Sequence, residues 1–214
     1  MSDLRVDRHT PRSRRTARLL LGLAALALVA ILVGIAMLLR TLRPTIIADE
    51  TLAGQTLVRI APALVVPGDL EPREVVRLSV LFLMPLEGVV LTGSQTGPDG
   101  QPLDVLYVVQ MQGPAADNPA TQAESIRTAE SLGPMQADGF DLTGRPELLT
   151  VTVGDQPRTA ILSTLRDSSG REFRHAQATI PSDGGPLSLV LRRPVDRFAV
   201  EEVRQMLESG GLSP

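Results

Sequence analysis

The chain has no cysteine, no tryptophan and no lysine, and only one tyrosine, four phenylalanines and two histidines. Without cysteine there is no disulfide, no thiol nucleophile and no cysteine metal site, so an exported domain would have to be held by burial alone. Without lysine no G-x-x-x-x-G-K-[ST] phosphate loop can occur. His175 is the only histidine outside the amino-terminal tail, so neither a two-histidine metal site nor a facial triad can be built within one chain. No metal and no other cofactor is expected. The scarcity of aromatics removes the platforms that sugar sites usually offer. The exclusive use of arginine as the strong base reads as the mark of a GC-rich bacterial genome, not as a functional signal.

What is present begins with a long apolar run. Leu19 to Leu39 reads LLLGLAALALVAILVGIAMLL, 21 residues without a charge, and a helix of that length reaches about 30 Å, enough to span a bilayer. Six arginines and two aspartates precede it, whereas Arg40 and Arg43 are the only charges just after it. By the positive-inside bias the tail stays in the cytoplasm and the remainder is exported. A cleaved signal peptide would have a shorter run ending in small residues; here Arg40, Thr41, Leu42, Arg43 and Pro44 follow, so the span is read as an uncleaved signal-anchor. The expected organisation is a basic tail over 1–18, a transmembrane helix over 19–39, a stalk over 40–55 and an exported domain over 56–209. The expected location is the inner (plasma) membrane, single-pass, with the lipid bilayer as partner of 19–39. Ala30 and Gly34 form a small-xxx-small pair that can support weak homodimerisation.

Beyond the span the charge reverses: 13 arginines stand against 22 acidic residues over 44–214. An acidic surface argues against nucleic acid as a partner. The basic tail suits anionic headgroups, although fixing topology is explanation enough for it.

Strand patterns dominate the exported part. Thr56 to Val66 reads as a strand bent at Pro62, and Val76 to Met84 as a strand covered on both sides. Pro85 to Gly88 reads as a turn, GVVLT as a short strand, and GPDGQP (97–102) as a second turn. Leu103, Val105, Tyr107, Val109 and Met111 alternate onto one face of the next strand. Residues 113–147 are polar and alanine-rich. There Asn118 and Pro119 can start a helix that runs to Leu132 before Gly133 and Pro134. Four strand patterns follow over 148–153, 158–166, 171–180 and 186–191, separated by hairpin-length turns. The stretch LRRPVDRFAVEEVRQMLES then places Val195, Phe198, Ala199, Val203, Met206 and Leu207 on one face of a helix capped by Asp196, suited to cover the sheet.

No catalytic, cofactor-binding or metal residue is singled out. Ser94 in LTGSQTG (91–97) lacks the G-x-S-x-G elbow. His175 is read as a surface or cross-strand residue. Asp138 and Asp141 in ADGFDLTG could offer oxygens to a calcium ion, but the spacing fits no EF-hand and a glycine-rich turn explains it more simply.

The last strand running through a proline into an amphipathic helix, PLSLVLRRPVDRFAVEEVRQMLES (186–209), resembles the close of a Mog1/PsbP-like domain, and the order of elements over 56–209 is loosely similar. That resemblance implies an α+β antiparallel sheet covered by a carboxy-terminal helix, in a family of binding and assembly factors without a common catalytic centre. The chain also resembles uncharacterised single-pass bacterial proteins with a short basic tail. The function expected is a membrane-anchored, extracytoplasmic binding or accessory domain, not an enzyme, whose partner is an envelope protein or another envelope component. An envelope hydrolase using acidic residues, and a signal relay through the basic tail, are the alternatives.

Overall fold

The computed structural model describes residues 45–80, 84–112 and 140–210. The span 19–39, the helix expected over 118–132, Asp138, Ala30 and Gly34 lie outside them. Among the described residues no helix is long and apolar enough to cross a membrane.

The chain forms a mixed α+β structure around an eight-stranded sheet in which every pairing is antiparallel. In chain order the elements are β1 (Thr45–Ala48), α1 (Glu50–Ile60), β2 (Leu70–Val80), β3 (Met84–Gly93), β4 (Val105–Met111), β5 (Phe140–Val153), β6 (Gln156–Asp167), β7 (Glu172–Ile180) and β8 (Leu187–Pro194). A 3-10 turn (Val195–Arg197) and α2 (Val200–Ser209) follow. The strand order β1-β2-β3-β4-β8-β7-β6-β5 is that of two meanders fused where β4 pairs with β8. β8 therefore lies in the interior of the sheet.

The first segment departs from the pattern expected of it. Ile46 to Gln55, expected as stalk, forms most of β1 and the start of α1, and Thr56 to Ile60, expected as strand, completes that helix. The reason is local. Asp49 caps the helix by accepting a hydrogen bond from the Leu52 amide at 2.9 Å, and Ala53, Thr56 and Ile60 are buried at helical spacing. Pro62 then stops the helix where it was expected to bend a strand. Pro85 to Gly88, expected as a turn, belongs to β3. β5 covers Phe140–Val153, so the described part of the stretch expected as a glycine-rich loop, 140–144, is strand, with a register shift between Thr143 and Glu147. Gly144, at φ 79°, and Pro146 fit there because β5 is an edge.

Both helices pack on one face of the sheet. α1 lies over β2 and β3, and α2 over β5 and β7. Their buried residues, including Ile60, Val203, Met206 and Leu207, share one core with Val75, Val89, Leu106, Leu189, Ala178 and Val151. The carboxy-terminal helix thus closes its own domain. It begins later than its sequence pattern suggests: Ala199 is the N-cap with no side-chain hydrogen bond, and Asp196 lies in the 3-10 turn. On the same face Glu87 of β3 is held by Arg59 of α1, Arg77 of β2 and Gln112. Burial alone would raise its pKa, but these hydrogen bonds hold it below the usual value.

On β4 the face shared by Val105, Tyr107 and Val109 lies away from the helices. Leu106, Val108 and Gln110 are buried beneath the helices, while Tyr107 points to the second face and is 40% exposed. That second face is buried along β6 and β7, at Ile161, Ser163, Leu165, Phe173 and His175, and half-buried along β8.

Candidate functional site

β8 separates two adjacent arginines. Its pleat places Leu187, Leu189 and Leu191 beneath the helices and carries Arg193 with them, so Arg192 must project from the second face. The two guanidinium groups consequently meet different surroundings.

Arg193 is enclosed by acids. Its side chain is 4% exposed. It bonds Asp69, ahead of β2, and Glu202 of α2, the latter at 2.7 Å. Its Nε faces Oδ1 of the fully buried Asp104 at 3.7 Å, within ion-pair range but beyond hydrogen-bond range. Arg197 completes the cluster through Asp69 and Asp104, each at 2.6 Å, and Gln95 at 2.9 Å. Burial raises the pKa of Asp104, and the charges of Arg197 and Arg193 draw it back in part. These bonds join the β3–β4 loop, the turn before β2, β8 and α2.

Among the described residues Arg192 has no such partners. Its guanidinium carbon lies 4.5 Å from the centroid of Phe140 and 5.8 Å from that of Phe173. The two rings meet edge to face at 5.3 Å and 88°. A guanidinium over aromatic rings is a favourable cation–π arrangement, but it uses none of the N–H donors. Arg192 donates to no oxygen among the described residues, and its Nε is buried without a hydrogen-bond partner. Burial depresses its pKa, and Tyr107 and Asp99 oppose that shift.

Two loops build a cavity of about 410 Å³ in front of this group, lined by Arg192, Phe140, Phe173, Tyr107, Leu103 and Arg171 among others. One is the β3–β4 loop, tightened where the Gly100 amide bonds the Gly97 carbonyl at 3.0 Å, with Gly100 at φ 76°. The other is the β6–β7 turn. There Asp167 accepts hydrogen bonds from the Ser169 amide and hydroxyl at 2.9 and 2.6 Å, and from the Arg171 amide at 2.8 Å. The Ser169 bonds lead in holding its pKa below the usual range. Asp99 likewise accepts from the Gln101 amide at 3.2 Å. A wider hollow of about 760 Å³ adjoins this cavity near Arg197, but Arg197 is already committed to Asp69 and Asp104.

Beneath the cavity a polar row crosses three strands, with Ser163 of β6 opposite His175 of β7 and His175 opposite Arg192 of β8. His175, expected at the surface or across strands, is cross-strand but 3% exposed. Burial first, and the Arg192 charge second, lower its pKa to about 4, so it is neutral at pH 7. Neither Ser163 Oγ nor His175 Nδ1 has a hydrogen-bond partner, so the two form no nucleophile–base pair in this geometry.

The other residues weighed from the sequence do not converge here. Ser94 is exposed at the end of β3, and Asp141 is exposed on edge strand β5. Among the described residues no group of three His, Cys, Asp or Glu side chains is placed to hold a metal. Arg192 was passed over because its sequence context shows only a basic pair. The available signal was the L-x-L-x-L alternation before it, which assigns the two arginines to opposite faces. No family model, curated protein or solved structure matches the chain.

Proposed function

We propose that the protein is a membrane-tethered, extracytoplasmic binding domain without catalysis of its own, and that its ligand site is the cavity in front of Arg192. The observation that carries the reading is a partly buried arginine whose Nε is enclosed without a hydrogen-bond partner, set against two of the four phenylalanines, with no carboxylate bonded to it among the described residues. A fold left to itself gains little from such a group, since burial without hydrogen bonds is a cost. A ligand that supplies the missing acceptors offsets that cost. The tether is the apolar run 19–39, oriented by its basic flank. The Mog1/PsbP-like resemblance of the sequence over 186–209 favours the same class of role. An envelope component is the intended occupant.

The test uses the full chain in its own membranes. A photoreactive amino acid at Ser168, on the exposed β6–β7 turn at the cavity wall, should yield a specific adduct, and Arg192→Gln should abolish it. An amino-terminal tag should remain with the membrane fraction. Chemical conversion of the captured molecule by the purified protein, or loss of the tag from the exported protein, would overturn the reading.

A further inference from the structure

We propose that the Arg192 cavity takes a ligand with a single carboxylate on a flat, apolar body; this rests on that cavity being the ligand site. Four observations set the chemistry. First, the guanidinium is planar, and none of its donors is used among the described residues. A carboxylate matches that fork with two parallel hydrogen bonds. Second, one wall beside the charge is apolar, formed by Phe140, Phe173, Leu103, Pro98 and Pro102, while the two turns line the rest with polar side chains such as Gln101, Ser168 and Ser169. The apolar wall suits a flat hydrocarbon body. Third, about 410 Å³ is in the range that holds a small organic molecule, at the lower end of about 300 to 1,000 Å³.

The fourth observation limits the ligand's charge. Asp99 and Asp167 line the same cavity and are tied to backbone amides of their own turns. They therefore stay in place and do not swing in to pair with Arg192. Their negative charges oppose the two positive charges of Arg192 and Arg171, so the cavity as a whole is close to neutral. One further negative charge is accommodated at the guanidinium, whereas a dianion such as a phosphate monoester meets two fixed carboxylates with no additional base to balance it. The preference is for a monoanion.

The experiment uses the full chain in nanodiscs and the intrinsic fluorescence of naphthalene probes, excited on the long-wavelength side of tryptophan absorption so that the same readout serves the wild type, which has no tryptophan, and a tryptophan variant. The probes are 2-naphthoate, 2-naphthyl phosphate and the neutral 2-naphthamide. Each is referenced to the Ser168→Trp protein, whose bulky side chain on an exposed turn fills the cavity mouth, so partition into lipid cancels. Naphthoate should bind the wild type at least about tenfold more tightly than naphthamide and than naphthyl phosphate, as expected for one charge-assisted pair. Arg192→Gln should remove that advantage and Arg192→Lys should retain part of it. Naphthamide binding as tightly as naphthoate would overturn the carboxylate inference while leaving the cavity as a ligand site. Tighter binding of the phosphate would overturn the preference for a monoanion. If no probe discriminates the wild type from Ser168→Trp, both this inference and the cavity reading fail. The comparison among probes on the wild type stands even where an Arg192 variant folds poorly.

Discussion

Arg192 and Arg193 are neighbours in one strand, identical in chemistry, and opposite in what they do. Arg193 faces the helices among Asp69, Asp104 and Glu202. Arg192 faces the other side of the sheet, against Phe140 and Phe173, with no acid bonded to it among the described residues. The difference shows that the pleat of a central strand, not residue type, decides whether an arginine is bonded into the scaffold or keeps donors unused by the described residues. On the helix side a charge enclosed by secondary structure has to be neutralised in place, because the alternative is an uncompensated ion in the core. On the cavity side stacking tolerates the charge and leaves its donors open.

The strongest way to break this contrast is to remove the scaffold arginine. Arg193→Ala leaves the fully buried Asp104 with Arg197 alone, and disconnects Asp69 and Glu202 from β8. Loss of one partner from a buried ionic cluster costs about 3 to 5 kcal/mol. Pulse proteolysis of the full chain against urea should show that shift in the unfolding midpoint. A change near zero would mean that Arg193 is no more structural than its neighbour.

The next effect is read by acid. The pKa of His175 is about 4 in the folded state against a reference value of 6.5, so the unfolded chain takes up a proton that the folded chain refuses. Stability therefore falls as pH drops from about 6.5 to about 4, by roughly 3 kcal/mol in total, and this contribution levels off below that. Glu87, Glu147 and Asp167 have depressed pKa values, so their stabilisation is lost only further down, below their unfolded values near 4. Asp104, whose pKa is raised, acts in the opposite sense. In His175→Gln the slope between pH 6.5 and pH 4.5 should flatten. An unchanged slope would place the titration elsewhere.

How much of this was legible follows from the range of each interaction. The strands of the second meander and the amphipathic helix that follows them are set by alternation and spacing within about ten residues, and β6, β7, β8 and α2 lie within a few residues of the expected positions. The first segment was misread because its β-branched and apolar residues suit a strand, while the cap at Asp49 and the burial of Ala53, Thr56 and Ile60 favour a helix. β4 alternates apolar residues on both of its faces, and only pairing with β3 and β8 decides which face meets the helices. The site was not legible at all. Phe140, Phe173 and Arg192 are brought together by strand pairing across β5 to β8, and nothing in their sequence spacing announces it.

A smaller effect concerns how the closing helix is attached. The sequence places Phe198 on the buried face of a continuous helix, where Phe198→Asp would unfold the domain. In the structure Phe198 precedes α2 and is half-buried, and the Arg174 guanidinium lies 5.9 Å from its ring centroid. An aspartate there has an arginine within reach. The expected cost is therefore about 1 to 2 kcal/mol, with the domain still folded by pulse proteolysis. Loss of the folded state would mean that this junction bears as much of the core as Met206 or Leu207.

The smallest expected change in stability comes from the residue proposed to meet the ligand. Arg192→Leu removes a stacked cation, with a loss of about 0.5 to 2 kcal/mol of cation–π attraction. It also removes the burial of an unpaired guanidinium, a penalty of similar size and opposite sign. The two should offset to within about 1 kcal/mol, and the folded domain should keep its midpoint while losing its preference for a carboxylate. The contrast with Arg193→Ala is the decisive quantity. Two substitutions one residue apart in the same strand should differ by several kcal/mol in stability and in the reverse order for binding. If Arg192→Leu destabilises as much as Arg193→Ala, stacking on Phe140 and Phe173 is itself part of the scaffold, and the guanidinium is not held in reserve for a ligand.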